Sequence, residues 1–327
     1  MRCLVTGASG AVGPVLVDRL IAEGHQVTVF SRHPDRIKWP ASVNRCAGNL
    51  LDSIQLAAAM TGIEVVFHLA ALLHVANPAS ALRSDYQRVN VDGTRAVVET
   101  AKRAGVRRVL FFSTIAVYGA TDGQVVNETT TPMPDTMYAR TKLEAEAIVL
   151  SAVGTDGRRL GTVLRCAAVY GARVKGNYLH LVRALDGRRF VPIGNGRNRR
   201  TVIFDEDLAD AAVTATGDAA AGHILNVSDG RFHTLSEIIA AIAQGLDRRP
   251  PHFHIPAAPV RLFASAADVL LRAAHVHRAL RPALDTYLSD VAVDATRIQH
   301  DLGWHPRFDL QTGWQRAIST MKDIGSL

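Results

Sequence analysis

The feature that most restricts the fold is a glycine-rich turn close to the start of the chain. The run TGASGAVG follows a short apolar strand pattern and precedes an amphipathic pattern that begins near Pro14. Gly7 permits a tight turn, Gly10 lets a pyrophosphate approach the backbone, and Gly13 lets the following helix pack closely. The positive end of that helix then meets the negative charge. The turn predicts a dinucleotide site formed by Gly7, Ser9, Gly10, Ala11, Val12 and Gly13.

Strand and helix patterns alternate through the first half of the chain. The apolar runs CLVTG, QVTVF, VVFHLAA, RVLFFST and GTVLRC are separated by helical segments such as PVLVDRLIAEG. This alternation predicts an α/β fold with a doubly wound parallel sheet, covered by helices on both faces. We expect a Rossmann domain over residues 1–170 and a smaller C-terminal substrate-binding lobe over residues 171–327. The segment HILNVSD is a candidate strand that the lobe returns to the sheet.

The end of the second predicted strand bears on the choice of coenzyme. An acid usually stands there and holds the ribose hydroxyls of NAD, but this chain has Phe30-Ser31-Arg32 and no carboxylate before Asp35. A guanidinium suits a 2′-phosphate better than a free diol. Arg32 therefore favours NADP; the alternative is that Arg32 is a solvated loop cation and the coenzyme is NAD.

Tyr138 and Lys142 form the candidate reacting pair. They are four residues apart in YARTK, so on a helix they share one face. A free tyrosine, with a pKa of about 10, is a poor base at neutral pH. We expect the neighbouring ammonium to lower the pKa of Tyr138, so that the phenol can exchange a proton with a substrate hydroxyl.

Further motifs follow in a fixed order: FHLAA, NVDGT, FFSTIAVYG, YARTK, LRCAAVYG, VIFDEDLADA and DLGWHPRFDL. With the glycine-rich turn, they resemble the extended short-chain dehydrogenase/reductases, the NAD(P)-dependent epimerase/dehydratase family, nearly from end to end. Aligned on VYG, the resemblance implies that Thr114 supplies the catalytic hydroxyl and that Ser113 lies beside the substrate. Threonine can make the hydrogen bond that serine makes in most of the family.

The same resemblance implies coenzyme contacts along the chain. Lys142 is expected to touch the nicotinamide ribose, and the remaining implied coenzyme contacts are Asn49, Leu50, Leu69, Ala70 and Ala71. Asn49 replaces a frequent aspartate beside the adenine. Asn90, in NVDGT, is expected to bind backbone rather than to perform chemistry. A homodimer is implied through the helix that carries Tyr138 and the segment near Arg95.

The reaction and substrate are narrowed by two sets of residues. Family members that dehydrate sugars have two acids after the catalytic hydroxyl, and Ile115 and Ala116 stand there, which disfavours a 4,6-dehydratase. Arg200 matches the arginine that binds the pyrophosphate of nucleotide sugars in similar epimerases. The competing interpretation is that Arg200 belongs to a solvated basic loop. Weaker candidates for substrate binding are Asn177, Arg173 and Arg281. We expect a nucleotide-sugar 4-epimerase or a ketosugar reductase.

Two other functions stay open. The C-terminal run RPALDTYLSDVAVDATRIQHDLGWHP also resembles the hydroxysteroid-dehydrogenase and flavonol-reductase branch. In such an enzyme the apolar segment Leu262 to Leu271 would cover an apolar substrate. A non-catalytic NADP-sensing protein would not need the phenol of Tyr138. The Thr, Tyr and Lys set makes this third function the weakest of the three.

Composition excludes several classes of partner. Three scattered cysteines show no metal-ligand or disulfide spacing, so we expect a cytoplasmic protein without a metal. The net charge is +7, but the cations are dispersed and aromatics are only 6%, which argues against nucleic acid. The segment Ala257 to His275 is apolar but contains Arg261, Asp268 and Arg272, so we interpret it as an amphipathic helix over the substrate site. A peripheral membrane contact is its lesser alternative.

Overall fold

The computed structural model describes residues 1–73, 80–273 and 280–327. The strands are β1 (Arg2–Thr6), β2 (Gln26–Ser31), β3 (Asn44–Ala47), β4 (Val65–His68), β5 (Arg108–Thr114), β6 (Val125–Val126), β7 (Gly161–Cys166), β8 (Ala168–Tyr170), β9 (Arg199–Arg200), β10 (Val202–Phe204), β11 (Ile224–Val227), β12 (His233–Thr234) and β13 (Ala292–Val293).

The helices are α1 (Gly13–Ala22), α2 (Ser53–Ala59), α3 (Ser80–Tyr86), α4 (Gly93–Arg103), α5 (Met137–Ser151), α6 (Asn177–Asp186), α7 (Asp205–Thr214), α8 (Leu235–Gly245), α9 (Ala257–Ala273), α10 (Leu280–Leu288), α11 (Thr296–Leu302) and α12 (Leu310–Asp323). A π-helical turn, Gln87–Asp92, leads into α4.

A seven-stranded sheet with the order β11-β7-β5-β4-β1-β2-β3 forms the centre of the molecule. Its neighbouring strands are parallel throughout. The predicted doubly wound α/β fold is confirmed, and each of the five apolar runs contains one strand of this sheet. The chain reverses direction across the sheet between β1 and β4, so the loops at their carboxyl ends open a crevice suited to a dinucleotide.

The two faces of the sheet bury different side chains because successive residues of a strand point to opposite sides. On β1, Cys3 and Val5 pack with Leu16 of α1 in one core cluster. Leu4 belongs to the other cluster, which includes Val97 of α4. This two-sided burial fixes the register of β1 and therefore the position of the glycine-rich turn after it.

The second half of the chain contributes both to the sheet and to a separate core. The segment HILNVSD contains β11, which pairs with β7 at the sheet edge, so the sheet draws on residues beyond 170. Strand β3 was not predicted, because its sequence NRCA has no apolar alternation. The lobe core packs α8 against α12, with Tyr170 stacked on Trp314 at 4.6 Å between ring centroids.

Candidate functional site

The glycine-rich turn has the close backbone approaches that its sequence predicts. Gly7 has φ +70°, and a Cβ there would lie 2.5 Å from the backbone nitrogen of Ala70. A Cβ on Gly13 would collide with the carbonyl of Ala8. Residues 7 and 9–13 line a cleft of about 610 Å³ in front of α1. Side chains at positions 7 and 13 would collide with the protein's own backbone, so these glycines keep the turn tight and α1 close to β1, as a dinucleotide cradle requires.

Basic side chains line the same cleft where β2 ends. Arg32, His33 and Arg36 are exposed members of its wall. The nearby carboxylate of Asp35 is 3.0 Å from the guanidinium of Arg45, in a surface ion pair. The strand therefore ends in cations rather than in an acid directed at a ribose.

The remaining implied coenzyme contacts also meet in this cleft. Its walls include Asn49, Leu50, Leu69, Ala70 and Ala71. Asn90 lies behind the wall: its Oδ1 accepts the backbone N–H of Leu72 at 2.7 Å, and its Nδ2 donates to the Leu72 carbonyl at 3.2 Å. The expectation that Asn90 binds backbone is confirmed.

Helix α5 places Tyr138 and Lys142 on the cleft wall. Thr136 caps this helix by accepting the N–H of Ala139 at 3.1 Å, which sets where the helix begins. Tyr138 is half-buried and Lys142 is 1% exposed, and both line the cleft with the glycine-rich turn. The ammonium of Lys142 lies 3.8 Å from the centroid of the Phe111 ring, a cation–π contact.

The expected effect of Lys142 on Tyr138 is wrong for the chain alone. Burial raises the pKa of Tyr138 above its usual value, with smaller contributions from Cys166 and Tyr86. Burial also lowers the pKa of Lys142 to about 7, although the charges of Cys166 and Glu146 oppose this shift. Burial disfavours both charged forms, and a lysine that is partly neutral at neutral pH offsets little of the phenolate's desolvation.

Ser113 is held by a buried ionic network beneath the cleft. Its hydroxyl donates to a carboxylate oxygen of Glu146. The same carboxylate forms an ion pair with Arg165 at 2.7 Å, and the two side chains are 2% and 3% exposed. The Arg165 guanidinium lies 4.9 Å from the ring centroid of Tyr118. Ser113 therefore presents its oxygen, rather than its proton, to the cleft it lines.

The other hydroxyl at the end of β5 has a different partner. Thr114 is half-buried, and its Oγ1 accepts the backbone N–H of Ala116 at 3.2 Å. This bond uses an acceptor position and leaves the hydroxyl proton as a donor. The two neighbouring hydroxyls thus differ in polarity: Ser113 offers an acceptor and Thr114 a donor. Ser113 is found on the cleft wall, whereas Thr114, the predicted catalytic hydroxyl, is not among the residues found there.

The predicted substrate residues lie apart from one another. Asn177 is the exposed first residue of α6, and Arg173 is exposed in the loop before it. Arg200 donates to the carbonyls of Thr286 and Tyr287, at 2.8 and 2.7 Å, near the end of α10. Arg281 bridges α10 and α9: it donates to Asp285 and, at 2.8 Å, to the hydroxyl of Ser265. Neither Arg200 nor Arg281 is among the residues found on the cleft wall.

Sequence reasoning missed several cleft and network residues. Cys166, Arg88 and Lys175 also line the cleft. Glu146 follows Lys142 by four residues on one helix face, and Arg165 interrupts the apolar strand GTVLRC. A charged residue at a position predicted to be buried is a usable signal of a paired ion, and both residues show it.

Within residues 1–73, 80–273 and 280–327, no group of three or more His, Cys, Asp and Glu side chains is arranged to hold a metal ion. Across the same ranges, no helix is long and apolar enough to cross a membrane.

Comparisons with known proteins agree with this geometry. The model of the NAD dependent epimerase/dehydratase family matches residues 3–228, and the chain belongs to this family. A 3 beta-hydroxysteroid dehydrogenase/Delta 5-->4-isomerase of Mycobacterium tuberculosis is 28% identical over 95% of this chain and 87% of its own. A UDP-glucose 4-epimerase of Mycolicibacterium smegmatis is 29% identical over 99% of both chains.

A solved structure shows the same architecture. The structure of MoeE5 in complex with UDP-glucuronic acid and NAD superposes on this chain with a TM-score of 0.77 and 27% sequence identity. The match covers the full length of both chains. Relatives of this chain thus include proteins named for nucleotide sugars and for steroids, and the family identifies an NAD-dependent enzyme.

Proposed function

We propose that this chain transfers hydride at a carbinol or keto carbon of a nucleoside-diphosphate sugar, as a 4-epimerase or a ketosugar reductase. The observation that carries the proposal is that Tyr138, Lys142 and Ser113 line the same cleft as the glycine-rich turn. A proton-transfer group beside a dinucleotide cradle is what reversible oxidation of an alcohol requires. The likeness to UDP-glucose 4-epimerase over 99% of both chains supports the sugar.

Each side chain of the site has a defined task in this proposal. Tyr138 exchanges a proton with the substrate oxygen, Thr114 donates a hydrogen bond to that oxygen, and Lys142 contacts the nicotinamide ribose. When bound, the nicotinamide accepts or supplies the hydride. Burial raises the pKa of Tyr138 above its usual value, so in the chain without coenzyme the phenol holds its proton at neutral pH and can give it to a keto oxygen.

The coenzyme in this proposal is NADP. Arg32 and Arg36 line the cleft at the end of β2, where cations suit a 2′-phosphate. We expect Arg32→Ala to weaken NADP binding about tenfold and to leave NAD binding within about twofold, because one charge-assisted contact is worth about 1.5–3 kcal/mol. Isothermal titration with both dinucleotides measures this. Equal losses for both would show that Arg32 does not recognise the 2′-phosphate.

The test of the reaction is a substrate panel with UDP-glucose, UDP-galactose, UDP-glucuronic acid and UDP-4-keto sugars. An epimerase interconverts the first two without net change in coenzyme absorbance, whereas a reductase oxidises the reduced coenzyme in step with substrate. Tyr138→Phe should lower the rate of either reaction by about 10²–10⁴-fold. An unchanged rate after the loss of the phenol oxygen would overturn the assigned chemistry and would revive a coenzyme-sensing role.

A second candidate function is oxidation of an apolar alcohol such as a 3β-hydroxysteroid. The observation in its favour is that Arg200 already donates to two carbonyls near the end of α10 and is not found on the cleft wall. The M. tuberculosis relative supports this substrate class. Steroid-dependent reduction of the coenzyme, without activity on any UDP-sugar in the panel, would select it.

We also propose that the chain forms a homodimer through α4 and α5, the helices that carry Arg95 and Tyr138. Arg95 and Glu99 on α4, and Glu144 on α5, are exposed and carry both signs of charge. Light scattering coupled to gel filtration measures the mass. In this dimer, Arg95 of one subunit pairs with Glu99 of the other. Arg95→Glu alone should therefore weaken the dimer, and Arg95→Glu combined with Glu99→Arg should restore it.

A further inference from the structure

Helix α9 turns an apolar face to solvent. The exposed residues in its first ten positions include Ala258, Pro259, Leu262, Phe263 and Ala266. They recur at intervals of four, so they form a continuous stripe along one side of the helix. Leu262 is 74% exposed and Phe263 is 72% exposed. In an ordinary surface helix this side is polar.

The polar side chains of α9 are used on its other side, toward α10. Arg261 forms an ion pair with Asp285 at 3.2 Å. The hydroxyl of Ser265 accepts from Arg281, and Asp268 accepts two backbone N–H groups at the start of α10, at 2.6 and 3.0 Å. Polar contacts therefore hold one side of α9 against α10, while Leu262 and Phe263 face solvent.

A neighbouring loop continues the exposed apolar surface. Phe253 is 85% exposed, Ile255 44% and Val191 49%. The Ile255 carbonyl accepts the N–H of Gly194 at 2.8 Å, which joins the two loop segments. A Cβ on Gly194 would lie 3.9 Å from Ala257, so the joined segments meet the start of α9. We call Val191, Phe253, Ile255, Leu262 and Phe263 the apolar face.

Positive charge flanks this face. The two segments 186–192 and 247–256 carry four arginines and two histidines against two aspartates. Arg188, Arg189 and Arg249 are exposed. Arg248 forms an ion pair with Asp186 at 3.4 Å, which joins the segments a second time. The surroundings of the apolar face thus carry a net positive charge.

We propose that the apolar face docks on an anionic lipid bilayer, with α9 lying in the plane of the interface. Aromatic and aliphatic side chains enter the boundary between headgroups and acyl chains, while arginines beside them meet lipid phosphates. A protein partner would be matched by a rim of both charges, and the flanking segments offer mainly one. The proposal does not depend on whether the cleft takes a sugar or a steroid.

The test is co-sedimentation of the purified chain with vesicles of phosphatidylglycerol and phosphatidylcholine, and with phosphatidylcholine alone. We expect binding that requires phosphatidylglycerol and weakens with added salt. Leu262→Ser combined with Phe263→Ser should lower the partition coefficient about tenfold or more, because the variant loses two large apolar side chains that would enter the bilayer. Phe253→Ser, outside the helix, should lower it independently, and Arg189→Glu with Arg249→Glu should remove the preference for anionic lipid.

The matched control is Ile54→Ser, at an aliphatic side chain that is 82% exposed on α2. It should leave vesicle binding unchanged, and thermal melting should show that each variant is folded. Absence of binding to anionic vesicles, or equal loss with Ile54→Ser, overturns the proposal. So does a dimer, seen by light scattering, that the Leu262 and Phe263 substitutions dissociate while vesicles bind neither form.

Discussion

The dinucleotide cleft and the α9–α10 pair both bring basic and acidic side chains together, but with different surroundings. Beneath the cleft, Glu146 and Arg165 are almost fully buried, and burial shifts the pKa of Lys142. Between α9 and α10, Arg261 and Asp285 retain 45% and 43% of their side-chain exposure. Buried charges are costly and reactive, whereas exposed ones mainly orient the elements they join. The same residue types therefore serve chemistry in one region and placement in the other.

The largest contrast should come from deleting one phenol oxygen in each region. Tyr138→Phe should lower kcat by about 10²–10⁴-fold, because general acid–base catalysis contributes a factor of that size. Tyr287→Phe, in α10, is the control and should leave kcat within about twofold. Steady-state kinetics on the substrate identified by the panel measures both. Equal kcat values for the two variants would remove the distinction between the regions.

Breaking the buried ion pair should be the largest effect on stability. Glu146→Ala leaves the Arg165 charge buried without its partner and frees the Ser113 hydroxyl. We expect the free energy of unfolding to fall by about 3–5 kcal/mol. Urea denaturation followed by circular dichroism measures the loss. A loss below about 1 kcal/mol would mean that water reaches Arg165.

The lowered pKa of Lys142 predicts that the stability of the protein depends on pH. Its pKa in the folded chain is about 7, below the ordinary 10.5, so between these values the unfolded chain holds a proton that the folded chain does not. This group therefore makes the wild-type protein more stable as pH rises, by at most about 1.4 kcal/mol per pH unit.

Lys142→Met removes that slope. With the dinucleotide stripped off, the variant should be more stable than wild type near neutral pH, and its advantage should shrink as the pH rises toward 10.5. Denaturation series at several pH values give the two slopes. Parallel curves would show that Lys142 is solvated in the folded protein.

Arg200 can separate a structural role from substrate binding. Its guanidinium donates to the carbonyls of Thr286 and Tyr287, so Arg200→Ala should lower the unfolding free energy by about 1–3 kcal/mol. Arg200→Lys keeps the positive charge but lacks the planar guanidinium with its several donors. It should therefore restore only part of the lost stability. A rise in KM for the nucleotide sugar without a loss of stability would instead identify Arg200 as a pyrophosphate contact.

The smallest effect is expected from the exposed counterpart of Glu146. Asp285→Ala breaks contacts with Arg261 and Arg281 that remain accessible to water, so the unfolding free energy should change by less than about 1 kcal/mol. The same denaturation assay applies. A loss as large as that of Glu146→Ala would show that α9 and α10 are more tightly coupled than their exposure indicates.

Much of the cleft could be predicted from the sequence because its parts are local. The conformations of Gly7 and Gly13 depend on neighbours within the turn and on the loop that follows β4. Tyr138 and Lys142 share a face by helical spacing alone. The partner of Ser113 could not be predicted, since Glu146 is thirty-three residues away in the sequence and meets it only through the packing of α5 on β5.

The amino-acid sequence by itself determined the alternating strands and helices, the dinucleotide cradle and the spacing of the reacting pair, because each depends on short-range geometry. Only the tertiary structure decided the pKa shifts of Tyr138 and Lys142, the partners of Arg200 and Arg281, and the outward direction of Leu262 and Phe263. Solvation and long-range contacts are set by what packs around a side chain, and the distant segments that supply this packing are not encoded in any local pattern.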